Sequence, residues 1–330
     1  MLLLGALWGE PSLDGRHKWI KYLLLLLYLP FLALLNRKRL PWAIGGLAVT
    51  YGLVLFVGVY QWIAENKQGV SAFGLSYSVF SAILGIGTIL SVYFACHNRD
   101  SLIRASLLVF ALMLFFLQFQ QGARGFLLAT LLTLLILASH YFWSNLRRFT
   151  GLVLALAAMA GLFAYTSPIM QDRWELVQQD IAKIQQADYS SSIGYRLAMW
   201  DVGIHGILQQ PWWGHGTGAP KSYFNRTVQH YKNGIYKDLS DFHPYAHYHN
   251  DWIEIGMHLG VPGILSLMYL LWTWYATFRR SGVALLGVGM ISFVFLSGLT
   301  ETFMVFNSIP VLLLFITAIT VTVCWQKKHE

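Results

Sequence analysis

The chain has 330 residues, of which 56% are hydrophobic and only 12% charged, and its mean hydropathy is +0.52. Soluble domains carry about 25% charged residues, so a soluble globular fold is excluded. Repeated apolar runs of bilayer length make the chain an all-α, polytopic transmembrane helical bundle. The net charge of +8 does not signal a nucleic-acid partner, because the basic residues sit in short turns between apolar runs.

Met1 to Gly9 is apolar but too short to span a bilayer, and it lacks the basic region of a signal peptide. It reads as the tail of a helix whose beginning is absent. Nine spans are predicted after it, at 18–36, 41–64, 77–97, 102–120, 124–144, 149–166, 250–276, 283–300 and 304–325. Basic turns follow alternate spans: Arg37-Lys38-Arg39, Arg99 with Arg104, Arg147-Arg148, Arg279-Arg280 and Lys327-Lys328. The positive-inside rule places these five in the cytoplasm. Arg16, Lys18 and Lys21 oppose that orientation and are outvoted. Cys96 and Cys324 then lie at cytoplasmic helix ends, where thiols stay reduced, and two cysteines make no disulfide framework. The chain divides into N-terminal helices (1–166), one large outer loop (167–248) and C-terminal helices (249–330).

Within the outer loop, 172–187 reads as an amphipathic helix, with Trp174, Val177, Ile181 and Ile184 on one face. A helix of this kind lies on a membrane surface or caps a bundle. Pro211-Trp-Trp-Gly214-His-Gly216-Thr-Gly218 is a turn-rich break. No strand precedes it, so its glycines are not a dinucleotide-binding fingerprint.

The polar stretch His243-Pro-Tyr-Ala-His247-Tyr-His249-Asn250-Asp251-Trp252-Ile-Glu254 runs into a long apolar helix, and Gly260-Val-Pro-Gly263 follows. Polar groups at a membrane helix mouth are costly to keep unless used. The histidines suit a general base, since imidazole titrates near working pH. A metal site is less favoured, because Pro244 disfavours a helix through them and no cysteine supports it. Interfacial histidines satisfied by solvent and backbone are the bland alternative. Asn250, Asp251 and Glu254 suit helix capping, and either acid can also orient an imidazole. Arg124, between Gly122 and Gly125, either snorkels to the interface or binds an anion. Arg196 follows Tyr195 near the start of a predicted helix. There it opposes the helix dipole, and it either grips a phosphate bidentately or is simply exposed. Glu301 sits at the outer end of two spans, as a partner for Arg124 or Arg196 or as a solvated turn residue. Lysines and aromatics of the outer loop, such as Lys221, Trp212 and Trp213, fit phosphates and sugars but are common in interfacial loops.

His249-Asn250, nine residues, then Gly260-x-x-Gly263 resembles the signature of bacterial O-antigen ligases, within the O-antigen ligase and polymerase superfamily. Arg124-Gly125 resembles the segment of the family's first essential arginine. Tyr195-Arg196 with Trp200 and Pro211-x-x-Gly214-x-Gly216 resembles that of the second, and Glu301 resembles a C-terminal acidic position. The resemblance implies a twelve-helix, GT-C-like enzyme of the bacterial inner membrane whose active site faces the periplasm. Relative to that pattern, about three N-terminal helices are missing. The implied reaction is glycosyl transfer, inverting and without nucleotide, cofactor or metal. Undecaprenyl-pyrophosphate-linked O-antigen is the implied donor and lipid A–core the acceptor, in lipopolysaccharide biosynthesis. By the same analogy His249 activates the acceptor hydroxyl and Arg124 and Arg196 hold the donor pyrophosphate, with Tyr195, Asn250, Glu254 and Glu301 in support. Competing readings are an O-antigen polymerase, a protein O-oligosaccharyltransferase and, from another class, a lipid-linked sugar transporter.

Overall fold

A computed structural model describes residues 5, 7–9, 20–65, 74–151, 153–154, 165, 168–239, 247–302 and 308–328. Every regular element among them is helical, and the fold is that of an all-α polytopic membrane protein. Without water to satisfy peptide groups, a spanning segment must pair them internally, and long Leu-, Val- and Ala-rich runs do so as helices.

The helices are α1 (Tyr28–Leu34), α2 (Leu40–Tyr60), α3 (Tyr77–His97), α4 (Ser101–Gln120), α5 (Arg124–Tyr141), α6 (Pro168–Gln185), α7 (Ser192–Gln209), α8 (Pro220–Thr227), α9 (Asp251–Arg280), α10 (Ala284–Gly298) and α11 (Ser308–Lys328). Among the described residues, five helices are long and apolar enough to cross a membrane: α2 with its extension to Ala64, α3, α4, α5 and α9. The expected first and last two spans correspond to shorter apolar helices, Leu23–Leu34, Ala284–Gly298 and Ile309–Trp325. Most of the span expected at 149–166 lies outside the described residues, as do Arg16, Lys18 and His243. Capping side chains fix several starts. Asp100 Oδ1 accepts the Leu102 and Ile103 amides at 2.8 and 3.1 Å, and Ser191 Oγ accepts that of Gly194 at 3.1 Å.

The chain packs as two compact units. One comprises 20–137 and 269–330. Its central helix is α3, whose side chains are mostly buried, whereas α2 and α4 turn broad faces of leucine, valine and phenylalanine outward, as a lipid solvent permits. Close approach rests on small residues, the usual device where no hydrophobic drive separates helix from lipid. A Cβ at Gly87 would lie 2.9 Å from Leu114 Cδ1 and would collide with the Tyr51 ring. Nearby, Gln118 Nε2 donates to the Ser81 carbonyl at 3.1 Å and to Thr130 Oγ1 at 2.9 Å, tying α3, α4 and α5 together.

The other unit comprises 1–19 and 138–268. Its core joins Tyr195, Ala198, Met199 and Val202 of α7 to Tyr223 and Phe224 of α8 and to Tyr248, Ile253 and Met257. These α7 positions recur at three- and four-residue spacing, so they share one face. On the same face, Gly203 leaves room for Tyr248 and Ile253, and Gly206 for Met257 and Tyr223. The amphipathic helix expected at 172–187 is α6, with Trp174 and Ile181 exposed and Val177 and Ile184 partly buried.

Gly87→Val overfills the contact of α3 with Tyr51 and Leu114. We predict a loss of about 1–3 kcal/mol, read as a lower melting temperature of the purified protein in detergent. Gly45→Val, where a Cβ meets nothing within 4 Å, leaves the melting temperature unchanged.

Candidate functional site

The segment before α9 is held from both sides. The Tyr248 ring is fully buried, lies against Phe224 with ring centroids 6.2 Å apart, and is fixed at its backbone by Trp200 Nε1, which donates to the Tyr248 carbonyl at 3.0 Å. Asn250 is the N-cap of α9: its Oδ1 accepts the Trp252 and Ile253 amides at 2.9 and 3.1 Å. His249 stands between these anchors, half-buried, in the left-handed region with φ of +49°. Histidine tolerates that region better than most residues, yet the conformation still costs of order 1 kcal/mol, and such strain clusters at functional sites. The His249 amide donates to His247 Nδ1 at 3.2 Å, and the two imidazoles lie 4.1 Å apart.

Glu254 does more than favour a helix start. Its Oε2 accepts the Tyr248 amide at 2.9 Å, and its Oε1 lies 3.4 Å from His258 Nε2, one turn along α9. Both side chains are buried. His258 is a residue that the motif reading missed. Its spacing of four from Glu254 is the signal that could have found it.

α9 is two helices joined at Gly260, whose φ of 65° and ψ of −156° suit glycine alone. Pro262 has no amide to offer the His258 carbonyl. The turn-rich loop 211–218 takes up the freed groups. The His215 amide donates to Met257 O at 2.8 Å, the Gly216 amide to His258 O at 3.1 Å, and the Val261 amide to Pro211 O at 2.7 Å. A Cβ at Gly260 would strike the Pro211 carbonyl, and one at Gly214 would lie 2.6 Å from the Gly260 nitrogen. Gly214 and Gly260, one from each sequence motif, therefore serve one joint. His215 secures the loop to α7 by a 2.9 Å contact from Nε2 to the Gly206 carbonyl, and burial lowers its pKa, which favours the neutral ring. The N-terminal residues reinforce the loop. The Thr217 amide donates to Gly5 O at 3.0 Å, and Trp8 Nε1 to Trp213 O at 3.1 Å.

Arg196 occupies the second turn of α7, not the first as its sequence position suggested, because the Ser191 cap starts the helix at Ser192. The opposition to the helix dipole is correspondingly smaller. It is half-buried and one turn from Trp200, so it shares the face that meets Tyr248. Tyr195 belongs to the core, and burial pushes its pKa up to about 12. On the outer side of α7, Asp201 gathers Lys232, the Tyr236 hydroxyl at 2.8 Å and the Tyr231 hydroxyl at 3.5 Å. Burial pushes the Asp201 carboxyl up, but hydrogen bonds from Lys232 and Tyr236 outweigh it and hold the group below its usual range.

In the other unit, Arg124 is exposed at the first position of α5, after Gly122 in a left-handed turn. A Cβ at Gly125 would strike Thr300 Oγ1. This glycine therefore brings the start of α5 against the turn that carries Glu301, which is buried and donates its amide to Ser297 O at 2.9 Å.

Gly260→Ala places a side chain where φ and the Pro211 carbonyl both exclude it. The expected cost exceeds about 2 kcal/mol, measured as lost thermal stability or lost detergent-extractable protein.

The O-antigen ligase family matches residues 107–268, a range that holds Arg124, Arg196, His249 and Gly260 to Gly263 and ends before Glu301. A curated O-antigen ligase of Escherichia coli (strain K12) is 24% identical over 260 residues, covering 76% of this chain. The chain spans 59% of that relative's length. The family match and the alignment agree with the motif resemblance and support the O-antigen ligase superfamily.

Proposed function

We propose that this chain is an O-antigen ligase, moving O-polysaccharide from undecaprenyl pyrophosphate to lipid A–core at the periplasmic face of the inner membrane. The observation that carries the reading is His249. It is a strained, partly exposed imidazole between a buried anchor and a helix cap, at the head of the broken helix that the family signature encodes. The alternating basic turns support the orientation.

In this mechanism the acceptor hydroxyl oxygen attacks the anomeric carbon of the donor sugar, and its proton passes to a nitrogen of His249. The bond from that carbon to the phosphate oxygen breaks, and its electron pair leaves with undecaprenyl pyrophosphate. Attack opposite the leaving group inverts the anomeric centre. Arg196, on the α7 face that meets Tyr248, offsets the leaving group's charge and binds it bidentately. Arg124 is the second donor cation in this reading, and Glu301 supports it. Neither metal nor cofactor enters any step.

Complementation of a ligase-deficient strain, read as the lipopolysaccharide ladder, tests the reading. The chain restores capped lipopolysaccharide, and an equally expressed His249→Ala variant does not, its transfer rate falling about 10²–10⁴-fold as for loss of a general base. Equal ladders from both would remove His249 from the chemistry. Failure of the chain with matched glycan and core would remove the ligase reading.

The arginines give a second, separate test. Arg196→Lys keeps the charge but loses the fork, so donor turnover falls at least about tenfold. Arg124→Ala raises the donor KM. Unchanged kinetics in purified protein would return either residue to an interfacial role.

A further inference from the structure

Glu254 and His258 are buried ionisable side chains that the proposed chemistry does not use. Burying such a pair is expensive unless its hydrogen bonds are completed. Here they are completed in a chain. The Gly218 amide points at His258 Nδ1 at 3.3 Å, which makes that nitrogen the acceptor and leaves the proton on Nε2. Nε2 faces Glu254 Oε1 at 3.4 Å, and Glu254 Oε2 receives the Tyr248 amide at 2.9 Å. Nδ1 also lies 3.4 Å from the Gly216 carbonyl oxygen. The His258 backbone carbonyl is bound by the same loop, through the Gly216 amide at 3.1 Å.

This chain of contacts ends on the residue before His249. The His249 backbone is left-handed, a conformation that persists only where its surroundings over-determine it. The Trp200 bond to the Tyr248 carbonyl and the Asn250 cap fix two of its neighbouring groups, and Glu254 fixes the third. Glu254 in turn is aimed by His258. We infer that His258 is a positioning residue: anchored on the 216–218 loop, it orients Glu254, which holds the Tyr248 amide and so sets the direction of the His249 imidazole. The link to turnover rests on the proposed function; the backbone link does not.

Two variants separate positioning from simple folding. His258→Phe keeps the volume and removes both ring contacts. His258→Gln keeps an amide donor for Glu254 and a carbonyl acceptor for the Gly218 amide. Hydrogen exchange of the full chain, followed on peptides covering 247–253, reads the backbone directly. In His258→Phe, exchange there rises at least about tenfold while peptides of α3 are unchanged, and in His258→Gln it stays near wild type. Glycan transfer by the same preparations shows kcat falling about 10–100-fold in His258→Phe with the donor KM within about threefold, and recovery in His258→Gln. Unchanged exchange at 247–253 in folded His258→Phe overturns the inference. So does a parallel loss in both variants that extends to α3, which is the mark of a folding residue. If exchange responds as expected and even the wild-type chain transfers no glycan, positioning stands and the transferase reading falls.

Discussion

The arrangement depends on a break in a membrane helix. At Gly260 the α9 ladder is interrupted, and in a low-dielectric surrounding each unsatisfied peptide group costs several kcal/mol. The 211–218 loop removes that cost by supplying partners for the Met257 and His258 carbonyls and the Val261 amide. Once the loop is committed to the break, its other groups are positioned as well. The Gly218 amide reaches the His258 ring, and His215 clamps the loop to α7. The break thus fixes where the first half of α9 lies against α7, and with it the segment that carries His249.

The first half of α9 works as a short rigid mount. Its N-terminus is capped by Asn250, its face is packed on Gly203 and Gly206 of α7, and its buried polar edge runs through Glu254 and His258. In the proposed mechanism His249 is a general base and needs a defined direction, because misplacement of about 1 Å can cost about 10²-fold in rate. Holding both flanking residues by backbone bonds provides that direction while leaving the imidazole partly exposed.

Much of this was legible in the sequence. The apolar runs gave α2 to α5 and α9 to within about four residues at each end, since length and hydropathy decide membrane helices almost alone. The spacing from His249-Asn250 to Gly260 and Gly263 marked the half of α9 that ends at the break, and Asn250 as a cap followed from residue type. The joint at Gly260 was not legible, because Pro211 to Gly218 lies more than forty residues away in sequence and only three dimensions show what its amides do. Glu254 could be read as a helix-start acid but not as a bridge from Tyr248 to His258, and His258 itself looks like a lone histidine in an apolar run. Arg196 lies further into α7 than its neighbours in sequence suggest, because the Ser191 cap starts the helix at Ser192. The supporting role expected of Tyr195 is, at the level of packing, membership of the core behind α7.

The most direct measurement is transfer by the purified chain in proteoliposomes, given a labelled polysaccharide on undecaprenyl pyrophosphate and lipid A–core as the sole acceptor, without nucleotide. Label appearing on lipid A–core, with one undecaprenyl pyrophosphate released per glycan and an inverted linkage, is the result this account predicts. Label moving only between lipid-linked chains, or retained configuration at the new linkage, would contradict it.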